Sequence, residues 1–219
     1  MWVKVCANTN VADAKLAAEM GADAVGFVFA PSKRQVNAAQ VAEMTRALPE
    51  SVEKVGVFTS VDAEEILEAA RVAGLTAVQL HSAYDAELVA AMRGGSLTVL
   101  QVVDVAADTD EATLRKALLG PLRNKDVMAV LLDASHGGAS GGTGKTFDWE
   151  RTAQVVRDVR AETEGRVIIA GGLNAENVAQ AIEAFEPFGV DAASGTEESP
   201  GKKSAERMQA FVQAAKSAR

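Results

Sequence analysis

Three chemically useful side chains end apolar segments of this sequence, at points where the strands of a parallel sheet would end. Cys6 ends WVKVC, His81 ends AVQLH and Asp133 ends VMAVLLD, and Arg34 follows AVGFVF within PSKRQV. A thiolate can act as a general base and a carboxylic acid as a general acid. Arginine can bind a substrate carboxylate through two parallel hydrogen bonds. Three of the four also have a structural alternative: a small core residue for Cys6, a hydrogen-bonded residue for His81 and a surface charge for Arg34.

The stretch GGASGGTGKT, residues 137–146, ends in Gly-Lys-Thr like a loop that binds ATP phosphates. The strict pattern needs a glycine five residues before Gly144, where this chain has Ala139. A nucleotide loop also starts its helix at Lys-Thr, whereas here Phe147 intervenes and Asp148 is placed to cap the next helix. We therefore expect a glycine-rich lid that covers a substrate, with a plain surface loop as the alternative.

Two shorter small-residue signals follow later apolar segments. Gly171 and Gly172 come directly after RVIIA, and Ser194 and Gly195 come after VDAA. In barrels of alternating strands and helices, the loops after strands 7 and 8 commonly bind phosphate through backbone N–H groups and a helix N-terminus. The pair predicts a phosphate site, which an acidic chain can build without a lysine cluster. Ordinary tight turns are the alternative.

The elements that must position these residues recur at near-regular intervals. Between the apolar segments lie Ala- and Glu-rich segments with helical periodicity, several of them ending in glycine. The eight predicted strands begin near Trp2, Ala24, Lys54, Ala77, Thr98, Val127, Arg166 and Val190. The pattern predicts an α/β fold, a single-domain (β/α)₈ TIM barrel over residues 1–219, with a doubly wound open sheet as the alternative. The longest interval follows strand 6, which places its extra residues at the carboxyl face, where such barrels build active sites.

Composition narrows the functional classes. The chain has 219 residues, 48% of them hydrophobic, and a net charge of −8, which argues against nucleic acid or an anionic membrane as a partner. A single cysteine excludes an internal disulfide, and the two histidines lack carboxylates at metal-binding spacing. The sequence MWVKVCANTN has no signal-peptide pattern, and Val127–Leu132 is too short for a membrane span. We expect a soluble cytoplasmic protein without a structural metal.

Several segments together resemble one enzyme family. They are VKVCANT, GADAVGFVFAPSKRQV, VGVF, VQLH, VLLD, GGTGKTFDW, AGGLNAENV, GVDAASGTE and SPGKK, and in this order they cover nearly the whole chain. The chain is thereby similar to the phosphoribosylanthranilate isomerases of tryptophan biosynthesis. The resemblance implies an aldose–ketose isomerase that performs an Amadori rearrangement, the third step from chorismate. It also implies a phosphorylated small-molecule substrate, no cofactor or metal, and a monomer or homodimer.

The same resemblance implies roles for individual residues. Cys6 would be the general base that removes the C2 proton of the sugar, and Asp133 the general acid that protonates the ring oxygen. Arg34 would bind the anthranilate carboxylate or stack near its ring, with His81 and Asp191 also near the substrate. The phosphate would lie against segments that contain Gly144, Gly171, Gly172, Ser194 and Gly195.

The chain also departs from the family pattern, and other functions stay open. The usual glycine after the cysteine is Ala7 and the next apolar residue is Asn8, and Ser82, Ala134 and Ser204 replace other family residues. One alternative is the bifunctional isomerase of histidine and tryptophan synthesis, which uses paired aspartates. Another is indole-glycerol-phosphate synthase, which needs a catalytic lysine that the strand ends here lack. A third is a phosphate-binding barrel without catalytic activity, in which replacing Cys6 would not affect binding.

Overall fold

Eight parallel strands close into a barrel in the computed structural model, which describes residues 1–106, 108–133 and 149–218. Each strand pairs with the next one along the chain, and β8 pairs with β1. The closed barrel confirms the predicted fold and excludes the open sheet. The strands are β1 (Trp2–Val5), β2 (Ala24–Val28), β3 (Glu53–Phe58), β4 (Ala77–Leu80), β5 (Thr98–Asp104), β6 (Val127–Asp133), β7 (Val167–Ala170) and β8 (Gly189–Ala192).

A helix follows each strand, as the periodicity predicts. Side chains of Asn and Asp at the start of several helices accept hydrogen bonds from otherwise unpaired backbone N–H groups, as Asn37 does from Gln40 N at the start of α2. The helices are α1 (Val11–Glu19), α2 (Ala38–Arg46), α3 (Ala63–Ala73), α4 (Ala86–Gly94), α5 (Glu111–Arg123), α6 (Trp149–Thr163), α7 (Val178–Phe185) and α8 (Ala205–Ser217).

Two helices differ from the periodic segments of the sequence. The segment DEATLRKALLG ends at Gly120, but α5 continues through Pro121 to Arg123 and buries Leu122. Gly120 instead allows close packing, because a Cβ there would lie 3.1 Å from the Tyr84 ring. Helix α7 begins at Val178, later than the periodic segment that starts at Asn174.

The late start of α7 has a local cause in asparagine side chains. Asn174 Oδ1 accepts a hydrogen bond from Glu176 N at 2.8 Å, and Asn177 Oδ1 accepts one from Asn174 N at 2.9 Å. These bonds satisfy backbone groups in a turn conformation that competes with the helix. The turn lengthens the loop after β7, where the sequence predicts part of a phosphate site.

Two hydrophobic layers surround the strands. Outward-facing strand residues pack against the helices in the larger core, and inward-facing residues fill the barrel itself. The inner layer contains Ala24, Val55, Ala77, Leu100, Val102, Ala129, Leu131, Ile168 and Ala170. Trp2 and Phe188 stack at 6.0 Å beside this layer, at the amino end of the strands. The barrel is thus packed rather than hollow.

A short hairpin that the sequence did not predict follows β8. A single 3₁₀ turn, Ser194–Thr196, leads into β9 (Glu197–Ser199), which pairs antiparallel with β10 (Lys202–Lys203). Strands of two or three residues carry no usable periodicity. The hairpin lies at the barrel mouth, where Thr9 Oγ1 donates to Gly201 O at 2.5 Å, and it positions two charged residues of the site.

Candidate active site

The alternation of strand residues directs the predicted acid and base inward. Trp2 packs against the inner layer, and Lys4 and Cys6 share its face because successive side chains alternate. Ala129 and Leu131 belong to the inner layer, which places Asp133 on the inner face of β6. Both predicted catalytic residues therefore lie at the carboxyl mouth of the barrel, as expected.

Cys6 is buried where the chain turns sharply after β1. Its backbone N donates to Ala192 O at 2.9 Å, which continues the pairing of β1 with β8. Ala7 follows with φ of 65°, the left-handed conformation that glycine adopts at least cost. Asn8 then donates from Nδ2 to Val5 O at 2.8 Å and holds the turn. This conformation explains why the family usually has glycine at this position. In this chain alanine adopts it.

A buried ion pair between Lys4 and Asp191 lies next to Cys6. The sequence analysis identified Asp191 but not Lys4. Lys4 Nζ lies 3.0 Å from Asp191 Oδ2, and Lys4 is fully buried. Thus the barrel does contain a lysine, on the same strand and face as Cys6. A lysine two residues before the cysteine, inside an apolar strand, was the available signal.

The three buried groups influence one another's protonation. Burial raises the pKa of the Cys6 thiol, and the positive charge of Lys4 opposes that shift. Burial also raises the pKa of Asp191, while Lys4 opposes the change and Asp133 adds to it. For Lys4, burial acts to lower the pKa, but Asp191 and Cys6 outweigh it and the pKa is raised. Within the described part of the chain, Asp191 Oδ1 is buried and receives no hydrogen bond.

Asp133 is the last residue of β6 and is half-buried. It is in register with Asp104 on β5 and with Ala170 on β7. The next strand end along the mouth carries His81, whose Nε2 lies 2.9 Å from Asp104 Oδ1. His81 is thus hydrogen-bonded at the rim of the barrel, which agrees with the structural alternative given for it in the sequence analysis.

Arg34 makes a bidentate ion pair with Glu197 of the same chain. Its Nε lies 2.7 Å from Glu197 Oε1, and its Nη2 lies 2.6 Å from Glu197 Oε2. These hydrogen bonds raise the pKa of Arg34. Lys203 Nζ lies 3.8 Å from Glu197 Oε1 and donates to the carbonyl O of Cys6 at 2.5 Å. Glu197 and Lys203 were missed, because only the hairpin brings them to the site.

The loops after β7 and β8 meet at the mouth. Gly171 and Gly172 have φ of 90° and 71°, which favours glycine at both positions. Ser194 and Gly195 lie in the 3₁₀ turn after β8. A Cβ on Gly195 would lie 1.9 Å from Leu173 O, so the two loops approach more closely than any side chain allows. Gly144 and the rest of the glycine-rich stretch lie outside the described residues, as does the predicted cap Asp148.

Two general findings concern metals and membranes. Among residues 1–106, 108–133 and 149–218, no group of three or more His, Cys, Asp or Glu side chains is arranged to hold a metal ion. No helix in those ranges combines the length and the apolar character needed to cross a bilayer.

Gly26 on β2 provides the space that Cys6 and Lys4 occupy, and this leads to a prediction. A Cβ at Gly26 would lie 2.7 Å from Cys6 Sγ and 3.0 Å from Lys4 Cε. We expect Gly26→Ala to lower the free energy of unfolding by about 1–3 kcal/mol, as overpacking does. We also expect kcat/KM to fall by about 10²-fold, because the thiol must move by a few tenths of an ångström or more. Denaturant unfolding and steady-state assays measure the two effects.

The control for this prediction is Gly94→Ala. A Cβ at Gly94, at the end of α4, meets nothing within 4 Å. That variant should keep native activity and stability to within about 0.5 kcal/mol, as is usual for surface changes. Native activity in Gly26→Ala would show that the thiol position does not matter.

Comparisons with known proteins agree with this geometry. The family model of N-(5'-phosphoribosyl)anthranilate isomerase matches residues 3–214. The isomerase of that name from Rubrobacter xylanophilus is 43% identical over 216 residues, which are 98% of this chain and 98% of that protein. The crystal structure of the Thermotoga maritima enzyme superposes with a TM-score of 0.84 at 37% identity, over 99% of this chain and 98% of the other.

A further solved structure is a phosphoribosylanthranilate isomerase in complex with reduced 1-(o-carboxyphenylamino)-1-deoxyribulose 5-phosphate. It has a TM-score of 0.81 and 35% identity, and the match covers 99% of this chain and 98% of that one. The same family is indicated by the family model, by the relatives and by the solved structures. This chain belongs to the N-(5'-phosphoribosyl)anthranilate isomerase family.

Proposed function

We propose that Cys6 is the general base and Asp133 the general acid with which this chain isomerises N-(5'-phosphoribosyl)anthranilate. The product is 1-(2-carboxyphenylamino)-1-deoxyribulose 5-phosphate, and the reaction belongs to tryptophan biosynthesis. The sugar C1 is reduced and C2 is oxidised within one molecule, so the reaction needs no external electron acceptor. The protein has to supply one proton and remove another at the correct atoms.

The reaction divides into two proton transfers. Asp133 protonates the furanose ring oxygen, the bond from that oxygen to C1 breaks, and the nitrogen lone pair forms a Schiff base. The Cys6 thiolate then removes the proton from C2, and the electron pair moves towards nitrogen to give an enolamine. Tautomerisation of the enolamine gives the ketone. General acid and base catalysis of this kind contributes about 10²–10⁴-fold for each group.

The observation that carries this proposal is the strand order β1–β8–β7–β6 around the mouth. The base lies just after β1 and the acid at the end of β6. The two glycine-bearing loops, after β7 and β8, lie between them. A sugar whose 5-phosphate sits against those loops would thus place its ring between the thiol and the carboxyl group.

Three further residues are suited to bind the rest of the substrate. Glu197 holds the guanidinium plane of Arg34 through Nε and Nη2, so Nη1 lies outside this pair and can meet the anthranilate carboxylate. Asp191 Oδ1 has no hydrogen-bond partner among the described residues and is buried, so a sugar hydroxyl can bind to it only when the groups that cover it move. His81, held by Asp104, can contact the substrate from the rim.

Gly195→Ala should weaken phosphate binding more than it affects the chemistry. Its Cβ would collide with Leu173 O, a backbone atom that cannot swing aside, and the two loops must separate. Loss of one hydrogen bond to a charged phosphate costs about 1.5–3 kcal/mol. We expect KM to rise by tenfold or more with kcat reduced less, in steady-state assays. Gly94→Ala is again the control, and an unchanged KM would contradict a phosphate site at Gly195.

The direct test of the proposed function follows the loss of substrate fluorescence when N-(5'-phosphoribosyl)anthranilate is generated in situ. The intact protein should convert it, and the double variant Cys6→Ser/Asp133→Asn should not, although it still binds the reduced product analogue. Binding without turnover by the intact protein would instead indicate a binding barrel.

The same proposal extends to the organisation of the chain. One closed sheet uses strands from Trp2 to Ala192, and α8 packs beside β1, which supports one catalytic domain over residues 1–219. We infer that it works as a monomer or homodimer. Light scattering during chromatography measures the mass, and a larger assembly would contradict the inference.

A further inference from the structure

We propose that Lys4 is a positioning residue whose ammonium group, anchored by Asp191, stabilises the thiolate form of Cys6. The inference rests on the proposed function, in which Cys6 must lose its proton before it can accept one from the sugar. It goes further, because it assigns a role to a buried charge that the reaction steps themselves do not use.

The backbone brings the three groups together. Lys4 and Cys6 are two residues apart at the carboxyl end of β1 and share its inner face. The register of β1 with β8 pairs Lys4 with Asp191, and the side chains meet at 3.0 Å. Gly26 on β2 leaves room for both side chains, since one Cβ there would touch Cys6 Sγ and Lys4 Cε. The lysine and the thiol therefore occupy adjoining space beneath the mouth.

Burial gives this arrangement its effect. A buried thiolate without compensation is unfavourable, and burial does raise the pKa of Cys6. The fully buried Lys4 supplies a positive charge that water does not screen, and that charge opposes the shift. Asp191 keeps Lys4 protonated and in place. A buried ion pair adds little to stability on average, and we assign the placement of this one beside the base to its effect on the thiolate.

Other charged groups face Cys6 from the neighbouring elements. Lys203 on β10 donates to the Cys6 carbonyl and also favours the thiolate, whereas Asp191 on β8 opposes it. The charge of Cys6 in turn acts to raise the pKa of Arg34, and the charge of Asp133 on β6 acts to raise the pKa of Asp191. Among these side chains Lys4 has the largest favourable influence on the thiolate. Its removal should therefore have a larger effect than removal of any other cation near the site.

The experiment titrates the thiol directly. The chain has one cysteine, so ultraviolet absorbance of the thiolate against pH reports on Cys6 alone, with Cys6→Ser as the blank. In Lys4→Met we expect the thiol pKa to rise by about one unit or more, which lowers the thiolate fraction about tenfold per unit. Near neutral pH kcat/KM should fall in proportion, recover as the pH is raised, and leave KM nearly unchanged. Lys4→Arg should keep the thiol pKa close to native.

Two further variants separate this role from a structural one. Lys4→Met leaves Asp191 buried and unpaired and can fail to fold, whereas Lys4→Met/Asp191→Asn removes both charges. In the double variant the thiol pKa should stay above native, because Lys4 acts on Cys6 more strongly than Asp191 does. Asp191→Asn alone should shift the thiol pKa the opposite way, downward.

A native thiol titration in the folded double variant would overturn the proposal, whatever the activity. Native activity of Cys6→Ser would instead remove the base assignment, and the titration would still decide whether Lys4 stabilises the thiolate. The two failures are therefore distinguishable.

Discussion

Cys6→Ser is expected to lower kcat/KM by about 10²–10⁴-fold, the contribution of a positioned general base. Serine is nearly isosteric with cysteine, but its hydroxyl does not ionise in the accessible pH range and cannot take the C2 proton. Cys6 lies in the turn after β1, and Gly26 leaves space around its sulfur, so the smaller oxygen should be accommodated without rearrangement. Fluorescence assays measure the rate, and circular dichroism and thermal unfolding check the fold.

The pH dependence supplies a second readout for Cys6. Burial raises the thiol pKa, and the base works only when deprotonated, so kcat/KM should rise with pH until that pKa is reached. The ascending limb should vanish in Cys6→Ser. Retention of more than a tenth of native activity in that variant, with the same limb, would assign the proton abstraction to another group.

Asp133→Asn is expected to lower kcat by about 10²-fold or more, since an amide has the shape of the carboxyl group but no transferable acidic proton. Asp133 ends β6 on the inner face, and Asn can occupy the same space. The acid acts on ring opening and not on binding, so KM should change little. The reduced product analogue has an open chain and should bind with nearly native affinity, which calorimetry can measure.

The matched control for this second substitution is Asp126→Asn. Asp126 precedes β6 at the opposite end of the strand and is exposed. Its Oδ1 lies 3.9 Å from Arg93 Nε, a surface pair that contributes little. That variant should keep activity within about twofold. Equal losses at Asp126 and Asp133 would show a general effect of charge instead of a role for the acid.

Much of the site was predictable because it depends on strand ends. Parallel strands in a barrel end at one mouth, so Cys6, His81 and Asp133 were expected together as soon as the strand–helix alternation was recognised. The glycines after β7 and β8 were predictable for the same reason. These inferences need only periodicity and the geometry of a closed parallel sheet.

Other parts of the site depend on contacts between residues far apart in the chain. Arg34 and Glu197 are 163 residues apart, and their ion pair exists only because a short hairpin folds over the mouth. Lys4 and Asp191 are 187 residues apart and meet through the closure of β1 on β8. No local sequence pattern predicts either of these two ion pairs.

By itself, the sequence determined the order and type of the elements, the barrel and the candidate side chains at the strand ends, because hydrophobic periodicity and strand-end chemistry are local properties. Its motifs added the resemblance to one family. The tertiary structure decided which charges meet. Closure of the barrel placed Lys4 against Asp191 beneath the thiol, and the hairpin paired Arg34 with Glu197. The electrostatic environment of a buried group is set by every element packed around it, and this information exists only once the chain has folded.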